Sequence, residues 1–404
     1  MGAIASMFRP REVRALTASE WLLKAMAGGS QTYTGKSVAI ADSLAISTVW
    51  AAVTYLTETI STLPLHVYRR SADGGRSRAT DHYLWPILRY QPNPEMTAVE
   101  FWEAAIGHLE LWGNSYAEIE RLGSGRVSAL WPLRPDRMRV ARSQAGALEY
   151  TYTMPSGEQK TLPSYRILHL RNLSRDGIYG LSRIALAREG IGLALAAEEY
   201  GARTFSNGAL PVGVLTHPKS LSVDAHKRLR DDWESMHRGL SNSHRVAVLE
   251  EGVQWQAAGM PNTDLQWIEL QKLKASDFAA IFRVPPHKVG IMDRATFSNI
   301  EHQAIEAVTD TIRPRCVRIE QRLFQDLFTE DGQKELYPEF LIDGLLRGDT
   351  ATRTASYAVA RANGWLNGNE IRALENLNPI PGPEGDEYWR PANILGATAP
   401  TPSK

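Results

Sequence analysis

The amino-acid sequence predicts an α+β protein with a stalk of two long helices. Apolar residues recur at steps of three and four over 46–63 and again over 101–112, which is the spacing of one helix face. Short strand-like runs with glycine-containing turns fill 115–170, a pattern typical of antiparallel β-structure. Two long helical patterns, 183–207 and 264–282, flank a compact α/β insert at 211–259. Together these features favour mixed domains joined by a helical hairpin.

Composition and charge limit the class of protein. The chain has 404 residues, 43% of them hydrophobic, which is enough for two or three domains. Because the formal net charge is zero, a surface that wraps nucleic acid tightly is not expected. The single cysteine, Cys316, excludes an internal disulfide and fits a reducing cytoplasm. We expect no secretory signal, no membrane span and therefore a soluble protein.

The first half of the chain carries clear helix signals. Pro64 ends the first long helix, and a strand is predicted over 63–70. Thr97 and Glu100 form a capping box for the next helix, which should end at Gly113. The apolar stripe of the first helix consists of Ile46, Val49, Val53, Leu56, Ile60 and Leu63.

The middle of the chain predicts the stalk. Ser182 is a candidate N-cap for the helix over 183–207, in which nine of 25 residues are Ala or Gly. That composition suits close approach by other helices, because each glycine otherwise costs about 1 kcal/mol. Within the insert, Ser222 should cap a short helix between strands.

The C-terminal part is predicted to be mainly helical after a Pro- and Gly-containing loop at 283–297. Pro314 falls inside a long helical pattern that runs to Phe328 and should kink it at about Arg313. Caps mark further helix starts at Ser298 with Glu301, at Asp349, and at Asn367 with Glu370.

No pattern indicates catalysis. The segment from Gly29 to Ser37 has five residues between its glycines, whereas a phosphate-binding P-loop has four, and no strand pattern precedes it. Histidines such as His108 and His169 lack metal-ligand spacing and are expected to pack or lie on the surface. We therefore expect no catalytic residue, no metal and no cofactor. A nucleotide-hydrolysing enzyme remains an alternative that lacks a visible site.

Two basic features of the sequence each have two interpretations. Each is either a surface that is solvated or forms salt bridges between subunits, or a surface that contacts DNA phosphate. One is a helix face after Pro314, and the other is the loop at 283–297. The residues of the face are Arg315, Arg318 and Arg322, and those of the loop are Arg283, Lys288 and Arg294, against Asp293.

Five segments in order carry a resemblance to a known family. They are SLAISTVWAAVTYLTETISTLPLHVYRR, the block from DHYLWPILRYQPNP to GNSYAEIER, the run from LHLRNLSRDGIYGLSR to PVGVL, the run from FRVPPHKVGIMDR to RIEQRL, and LLRGDTATRTASYAVARANGWLNGNEIRALENLNPI. In this order they resemble the portal proteins of tailed bacteriophages, in their shorter siphophage and prophage form. The resemblance covers residues 37–392.

The resemblance implies a division of the chain by position. Its expected parts are a flexible N-terminal segment (1–36), a wing (37–180), stem helix 1 (181–210), a clip (211–262), stem helix 2 (263–283), a tunnel loop (284–298), a return to the wing through a long kinked helix (299–340), a C-terminal crown (341–395) and a disordered tail (396–404).

The resemblance also implies a non-enzymatic role. Portals form a ring of about twelve subunits around an axial channel at one capsid vertex, for packaging and ejection of double-stranded DNA. Expected partners are the terminase large subunit, a head–tail adaptor and the major capsid protein, in a virion assembled in the bacterial host cytoplasm. An oligomeric virion scaffold or tail component without DNA passage remains the alternative.

The same resemblance predicts roles for individual residues. In the tunnel loop, Lys288 and Arg294 are expected to contact DNA transiently. In the clip, the expected partner-docking residues are Arg228, Asp231, Trp233 and Arg238.

Overall fold

The fold is α+β, as the sequence predicts, and is given by a computed structural model. It describes residues 30–72, 74–206, 213–216, 222–225, 227–228, 231, 254–257, 263–291, 303–346, 350–375 and 377–389. Two compact units divide the chain, one of Met1–Ala295 with Thr309–Leu341 and one of Thr296–Val308 with Ile342–Lys404.

The predicted helices and strands that fall on described residues appear in the predicted order, together with elements that were not predicted, among them the helices Leu84–Arg89 and Glu330–Glu335 and the strand Leu336–Phe340. The strands are β1 Ser30–Gln31, β2 Ser37–Val38, β3 Leu65–Arg70, β4 Arg76–Arg78, β5 Asn114–Arg121, β6 Val127–Leu133, β7 Met138–Arg142, β8 Leu148–Thr153, β9 Gln159–Pro163, β10 Ile167–Arg171, β11 Gly213–Thr216, β12 Gln254–Ala257 and β13 Leu336–Phe340. The helices are α1 Ile40–Leu44, α2 Ser47–Ser61, α3 Leu84–Arg89, α4 Ala98–Trp112, α5 Arg183–Ser206, α6 Thr263–Phe282, α7 Arg313–Leu327, α8 Glu330–Glu335, α9 Asp343–Leu346, α10 Thr350–Ala362 and α11 Gly368–Leu374.

Helices α2 and α4 form the first core. The predicted stripe of α2 is buried throughout, and the helix packs on α4, where Gly107 would place a Cβ 3.7 Å from Thr57 Cγ2. The capping box at α4 is confirmed, since Thr97 accepts from the Glu100 amide and the Glu100 carboxylate accepts from the Thr97 amide. Gly113 ends the helix at φ +76°, in the left-handed conformation that glycine favours.

The predicted antiparallel β-region is confirmed and splits into two sheets. One has the strand order β10-β5-β6 and the other β7-β8-β9. Gly125, Gly146 and Gly157 lie in the predicted turns with φ between +83° and +90°. A cluster of buried side chains forms a core for this region: Tyr116, Met138, Val140, Tyr150, Leu162, Ile167, Ile178 and Tyr179.

A third sheet joins distant parts of the chain in the order β13-β3-β4. Strand β13 pairs with β3 so that Phe340 lies opposite Leu65 and Pro338 opposite Val67. Proline has no amide hydrogen and is tolerated in edge strands. Pro338 fits this rule, because β13 lies at the edge of the described sheet.

The predicted kink at Pro314 takes the form of a π-helical turn over Ala307–Ile312, immediately before α7. Proline lacks an amide hydrogen and its ring collides with the carbonyl four residues earlier, so a wider turn relieves the clash. The predicted cap at Ser298 and Glu301 lies outside the described residues.

The described part of the second unit is helical. Asn367 and Glu370 form the predicted capping box of α11, and Arg353 on α10 pairs with Glu375 at 2.8 Å. Gly364 lies so close to the Trp389 carbonyl that a Cβ there would be 2.3 Å from its oxygen. The predicted cap Asp349 lies outside the described residues.

The segment at 30–38 differs from the prediction. The sequence predicts a flexible segment over 1–36, but strands β1 and β2 form a hairpin over 30–38 that is held on α5. Thr34 Oγ1 donates to the Gly192 carbonyl at 3.2 Å, and the Tyr33 amide donates to Glu189 at 3.0 Å. These polar anchors are 156 and 158 residues away in sequence, so local patterns could not reveal them. A hairpin here also differs from the strand–loop–helix of a P-loop.

Candidate functional site at the end of the second long helix

Helices α5 and α6 form the predicted antiparallel stalk. Gly190 on α5 would place a Cβ 3.9 Å from Phe278 Cε1 on α6, which is ordinary packing contact. One end of the stalk, here called its root, is formed by the beginning of α5 and the end of α6. There Arg183 Nη1 donates to the Ile281 carbonyl at 2.8 Å. Ser182 caps α5, since its Oγ accepts from the Ala185 amide. The beginning of α5 and the end of α6 therefore lie together.

A buried ionic cluster occupies this root. The Glu110 carboxylate on α4 has no exposed surface, and it accepts from Arg183 Nε at 2.7 Å. Arg315 on α7 donates from Nε to Oε1 at 2.7 Å and from Nη2 to Oε2 at 3.2 Å. Burial alone would raise the pKa of the Glu110 carboxyl, but the two guanidinium groups outweigh it and hold that pKa below its usual value. Glu110 is therefore a buried carboxylate anion.

The same cluster holds the C-terminal end of α6. Arg315 donates further hydrogen bonds to the Phe282 carbonyl at 2.8 Å and to the Thr311 carbonyl at 2.7 Å. Thr311 Oγ1 in turn donates to the Arg283 carbonyl at 2.5 Å. Because the last carbonyls of a helix lack partners within the helix, these donors satisfy groups that would otherwise be left unpaired. The point where the loop leaves the stalk is fixed.

The loop begins with a sharp reversal. Arg283 has φ +54°, which is unusual for a residue other than glycine. The Val284 amide donates to the Ala279 carbonyl at 2.9 Å and the Arg283 amide to the Ala280 carbonyl at 3.0 Å, the pattern of a Schellman cap. Val284 is buried, so the loop is anchored at its start.

The predicted loop residue Lys288 lies just beyond this cap. It belongs to a 3₁₀ turn over Pro286–Val289 and is exposed. Its ammonium group lies 5.8 Å from the ring centroid of Tyr55 on α2, within the range of a cation–π contact. Arg294, the other predicted contact, lies outside the described residues.

The predicted basic face on α7 needs correction. Arg315 is 4% exposed and bound to Glu110, so the interpretation as a DNA-contacting residue is wrong for it. Arg318 Nη1 donates to Asn172 Oδ1 at 2.9 Å, and Arg322 forms an ion pair with Asp326 at 2.6 Å. All three arginines have partners within the subunit, which a helical spacing alone cannot distinguish from an exposed basic face.

A second buried network, missed by sequence reasoning, positions the start of α5. Asn114 Nδ2 donates to the Gly180 carbonyl at 2.9 Å, and the Gly180 amide donates to Asn114 Oδ1 at 2.8 Å. His169 Nε2 lies 3.1 Å from the same oxygen, and its Nδ1 lies 3.2 Å from Tyr150 Oη. Burial lowers the pKa of His169 far below its usual value, so the ring is neutral. The signal for this network was the Gly-Asn pair followed by an aromatic residue.

The clip candidates are only partly described. Arg228 and Asp231 are exposed, whereas Trp233 and Arg238 lie outside the described residues. Strands β11 and β12 pair antiparallel between α5 and α6 in the chain. Ser222 accepts from the Ala225 amide at 3.3 Å and so caps the predicted helix of this region.

In the described part of the chain, no group of three or more His, Cys, Asp or Glu side chains is arranged to hold a metal ion. None of the described helices is both long and apolar enough to cross a membrane.

Comparison with known families assigns the chain. The family described as phage portal protein matches residues 47–376, which span α2 to the end of α11 and include the stalk, the ionic cluster and the loop. The chain belongs to the phage portal protein family.

Portal proteins of two phages are similar along most of the chain. The portal protein of Enterobacteria phage HK97 is 33% identical over 88% of this chain and 84% of its own length. The probable portal protein of Streptomyces phage phiC31 is 30% identical over 91% of this chain and 82% of its own length.

Solved structures from gene transfer agent particles and of a phage portal protein share the fold. A chain of a native gene transfer agent virion is 25% identical with a TM-score of 0.60, and the match covers 89% of this chain and 99% of that one. A chain from the neck of such a particle, computed with C12 symmetry, gives 26% identity and a TM-score of 0.58 over 83% and 91% of the two chains. An HK97-family portal from Corynebacterium diphtheriae, at 19% identity and a TM-score of 0.55, supports the fold alone.

Proposed function

We propose that this chain is the subunit of a ring-shaped portal at one capsid vertex, through which double-stranded DNA is packaged and ejected. The observation that carries the proposal is the stalk with a loop fixed at its root, in a chain that the portal family matches over 47–376. A similar chain comes from a particle neck computed with C12 symmetry, which supports a ring of about twelve copies. The role is mechanical rather than catalytic.

The parts of the chain take the following roles in this proposal. Residues 37–180 and 299–340 form the wing, 181–210 and 263–283 the stem helices, and 211–262 the clip. Residues 284–298 form the tunnel loop, 341–395 the crown, and 1–36 and 396–404 the terminal segments. The pairing of α5 with α6 and the insertion of β11 and β12 between them in the chain support the stem and clip.

In this proposal the loop contacts DNA in the channel. Lys288 is exposed at the fixed start of the loop, and with Arg294 it would meet phosphate briefly as DNA slides. A neutral chain suits this task, because strong phosphate binding would retard the passage of DNA. Arg318 and Arg322 remain committed to partners within the subunit.

The clip is proposed to dock the terminase large subunit during packaging and a head–tail adaptor afterwards, and the wing to meet the major capsid protein. Arg228, Asp231, Trp233 and Arg238 are the proposed docking residues. The assembly would form in the bacterial host cytoplasm and end in the virion.

Electron microscopy of the purified protein, combined with mass measurement, tests the ring. We expect closed rings of 44.9 kDa subunits with an axial hole wide enough for duplex DNA. A closed oligomer without such a hole would overturn DNA passage and favour a scaffold or tail component instead.

Charge reversal tests the channel contact. Particles assembled with Lys288→Glu and Arg294→Glu together should package or eject DNA more slowly than wild type, measured as genome length per particle against time. Lys334→Glu with Arg139→Glu is the matched control, because both side chains are exposed outside the loop. Unchanged packaging and ejection in the loop variant would remove Lys288 and Arg294 from the DNA path.

A further inference from the structure

The outer face of the β13-β3-β4 sheet is basic at one end. Residues that lie directly opposite each other in an antiparallel pair share a face, so the pairing register gives the members of this face. They are His66, Tyr68, Arg70, Arg76, Arg78, Tyr337 and Glu339. Helix α3 covers the His66 end, where the Trp85 ring stacks on the His66 ring with centroids 5.0 Å apart. The other end is open, since Arg70, Arg76 and Arg78 are exposed there.

Two of these arginines are held over aromatic rings. The guanidinium carbon of Arg70 lies 4.9 Å from the centroid of the Tyr337 ring, and that of Arg76 lies 4.6 Å from the centroid of the Tyr68 ring. The two tyrosine rings stack with centroids 5.8 Å apart. Arg76 also forms an ion pair with Glu339. These contacts fix the guanidinium groups in place beforehand, which lowers the entropy cost of binding a partner.

Arg78 adds a positive charge that nothing on this face offsets. Among the described side chains, it has no ion-pair partner. The pKa of His66 is lowered to about 4, first by burial and then by the positive charges of Arg78 and Arg89. The face carries three exposed arginines against one carboxylate, that of Glu339, although the whole chain is neutral. An anionic partner is therefore the one that this face attracts.

The edge of the same sheet offers backbone groups to a further strand. The Ala79 amide donates to the Val67 carbonyl at 2.8 Å, which makes these two residues a hydrogen-bonded pair. Because such pairs alternate along an antiparallel ladder, the amides and carbonyls of Arg76 and Arg78 point away from β3. Within the described part of the chain, no strand pairs with β4 on that side. The open edge therefore lies beside the exposed arginines.

We propose that β4 binds an extended acidic segment of another protein, which adds a strand to the sheet and places carboxylates beside Arg76 and Arg78. Alternate side chains of a strand share a face at a spacing of about 7 Å, so acidic residues at every second position match the two arginines. A charged edge strand discourages pairing with neutral or basic strands, so the partner carries the opposite charge. This inference goes beyond the proposed portal function and does not depend on it.

The open edge favours a peptide over nucleic acid. A peptide backbone can pair with the amides and carbonyls of β4 while its carboxylates meet the arginines. A phosphate backbone, by contrast, carries acceptors only and leaves the outward carbonyls of Arg76 and Arg78 unused.

Fluorescence anisotropy of the full-length protein tests the role of charge. The probe is a labelled peptide in which Thr and Glu alternate, and a Thr–Lys peptide is the control probe. We expect the acidic peptide alone to bind, more weakly as salt rises. Arg78→Glu should weaken binding about tenfold, whereas Arg78→Lys should stay within about twofold of wild type. Arg139→Glu is the matched control, because Arg139 is exposed on the edge strand β7 of another sheet. Equal affinities of Arg78→Glu and Arg139→Glu would contradict the proposal.

Backbone methylation of the probe tests the addition of a strand. Two forms of the acidic peptide carry N-methyl groups on either the Glu amides or the Thr amides, so that each form is blocked along one edge only. Since a single edge of the peptide faces β4, one form should lose about tenfold in affinity and the other should bind within about twofold of the unmethylated peptide. Equal effects of the two forms would exclude strand addition.

A labelled DNA duplex separates a peptide partner from nucleic acid. We expect no loss of duplex binding in Arg78→Glu relative to Arg139→Glu. Duplex binding that Arg78→Glu abolishes, without binding of the acidic peptide, would overturn the proposal and assign the face to phosphate. Because none of these titrations requires a ring, failure of the proposal would leave the proposed portal function standing.

Discussion

The Arg315 guanidinium lies against the Glu110 carboxylate, with Nε 2.7 Å from Oε1, across 205 residues of sequence. The pair is almost fully buried, and its remaining donors and acceptors are used by Arg183, Phe282 and Thr311. It therefore joins α4, both stalk helices and α7 at the point where the loop begins.

Glu110→Gln should destabilise the fold by about 3–5 kcal/mol, because it leaves Arg315 and Arg183 buried without a counter-charge. Denaturant unfolding measures the change. The control is Asp136→Ala, which breaks a more exposed pair with Arg134 and should cost less than about 1 kcal/mol. A loss for Glu110→Gln as small as the control would mean that the cluster contributes little to stability.

Local patterns predict the long helices, the caps at Thr97, Ser182 and Asn367, and the stalk, but not this cluster. The residues of the α2 stripe and of the capping box at Thr97 are close together in the sequence, so local patterns such as helical periodicity predict them. Arg315 and Glu110 are brought together only by tertiary packing. The available signal was Glu110 itself, a lone carboxylate between Leu109 and Leu111 in an apolar helix pattern. Such a residue needs a cationic partner, but the sequence does not say which one.

Gly113→Ala should cost about 3 kcal/mol or more, measured by denaturant unfolding. Gly113 has φ +76°, and a Cβ would stand 2.4 Å from the Leu181 carbonyl, so the backbone entering α5 would have to move. Gly125→Ala separates the two causes, because Gly125 has φ +83° with open space around it. Gly125→Ala should lower the free energy of unfolding by about 1 kcal/mol, the cost of placing an alanine in the left-handed conformation. Equal losses would show that the close approach to Leu181 is unimportant.

His108 should make stability depend on pH. Burial lowers its pKa to about 4 from 6.5, so between these values the unfolded chain binds a proton that the folded chain does not. The stabilisation is complete above pH 6.5 and is lost as pH falls towards 4, by about 2 kcal/mol after allowance for partial exposure. His108→Phe and His108→Gln should both flatten this slope in unfolding experiments at pH 4.5 and 7.5. An unchanged slope in both variants would place the titration elsewhere.

Gly192→Ala should detach the hairpin at 30–38 from α5, since a Cβ would lie 2.5 Å from Thr32 Oγ1. Gly190→Ala, two residues away on the same helix, meets only Phe278 Cε1 at 3.9 Å and should gain about 1 kcal/mol of helix propensity. Hydrogen exchange at the Thr32 and Gly35 amides, which donate to Lys36 and Thr32 carbonyls, reports the hairpin directly. We expect faster exchange in Gly192→Ala and wild-type rates in Gly190→Ala. Equal protection in both would mean that the hairpin tolerates a side chain at 192.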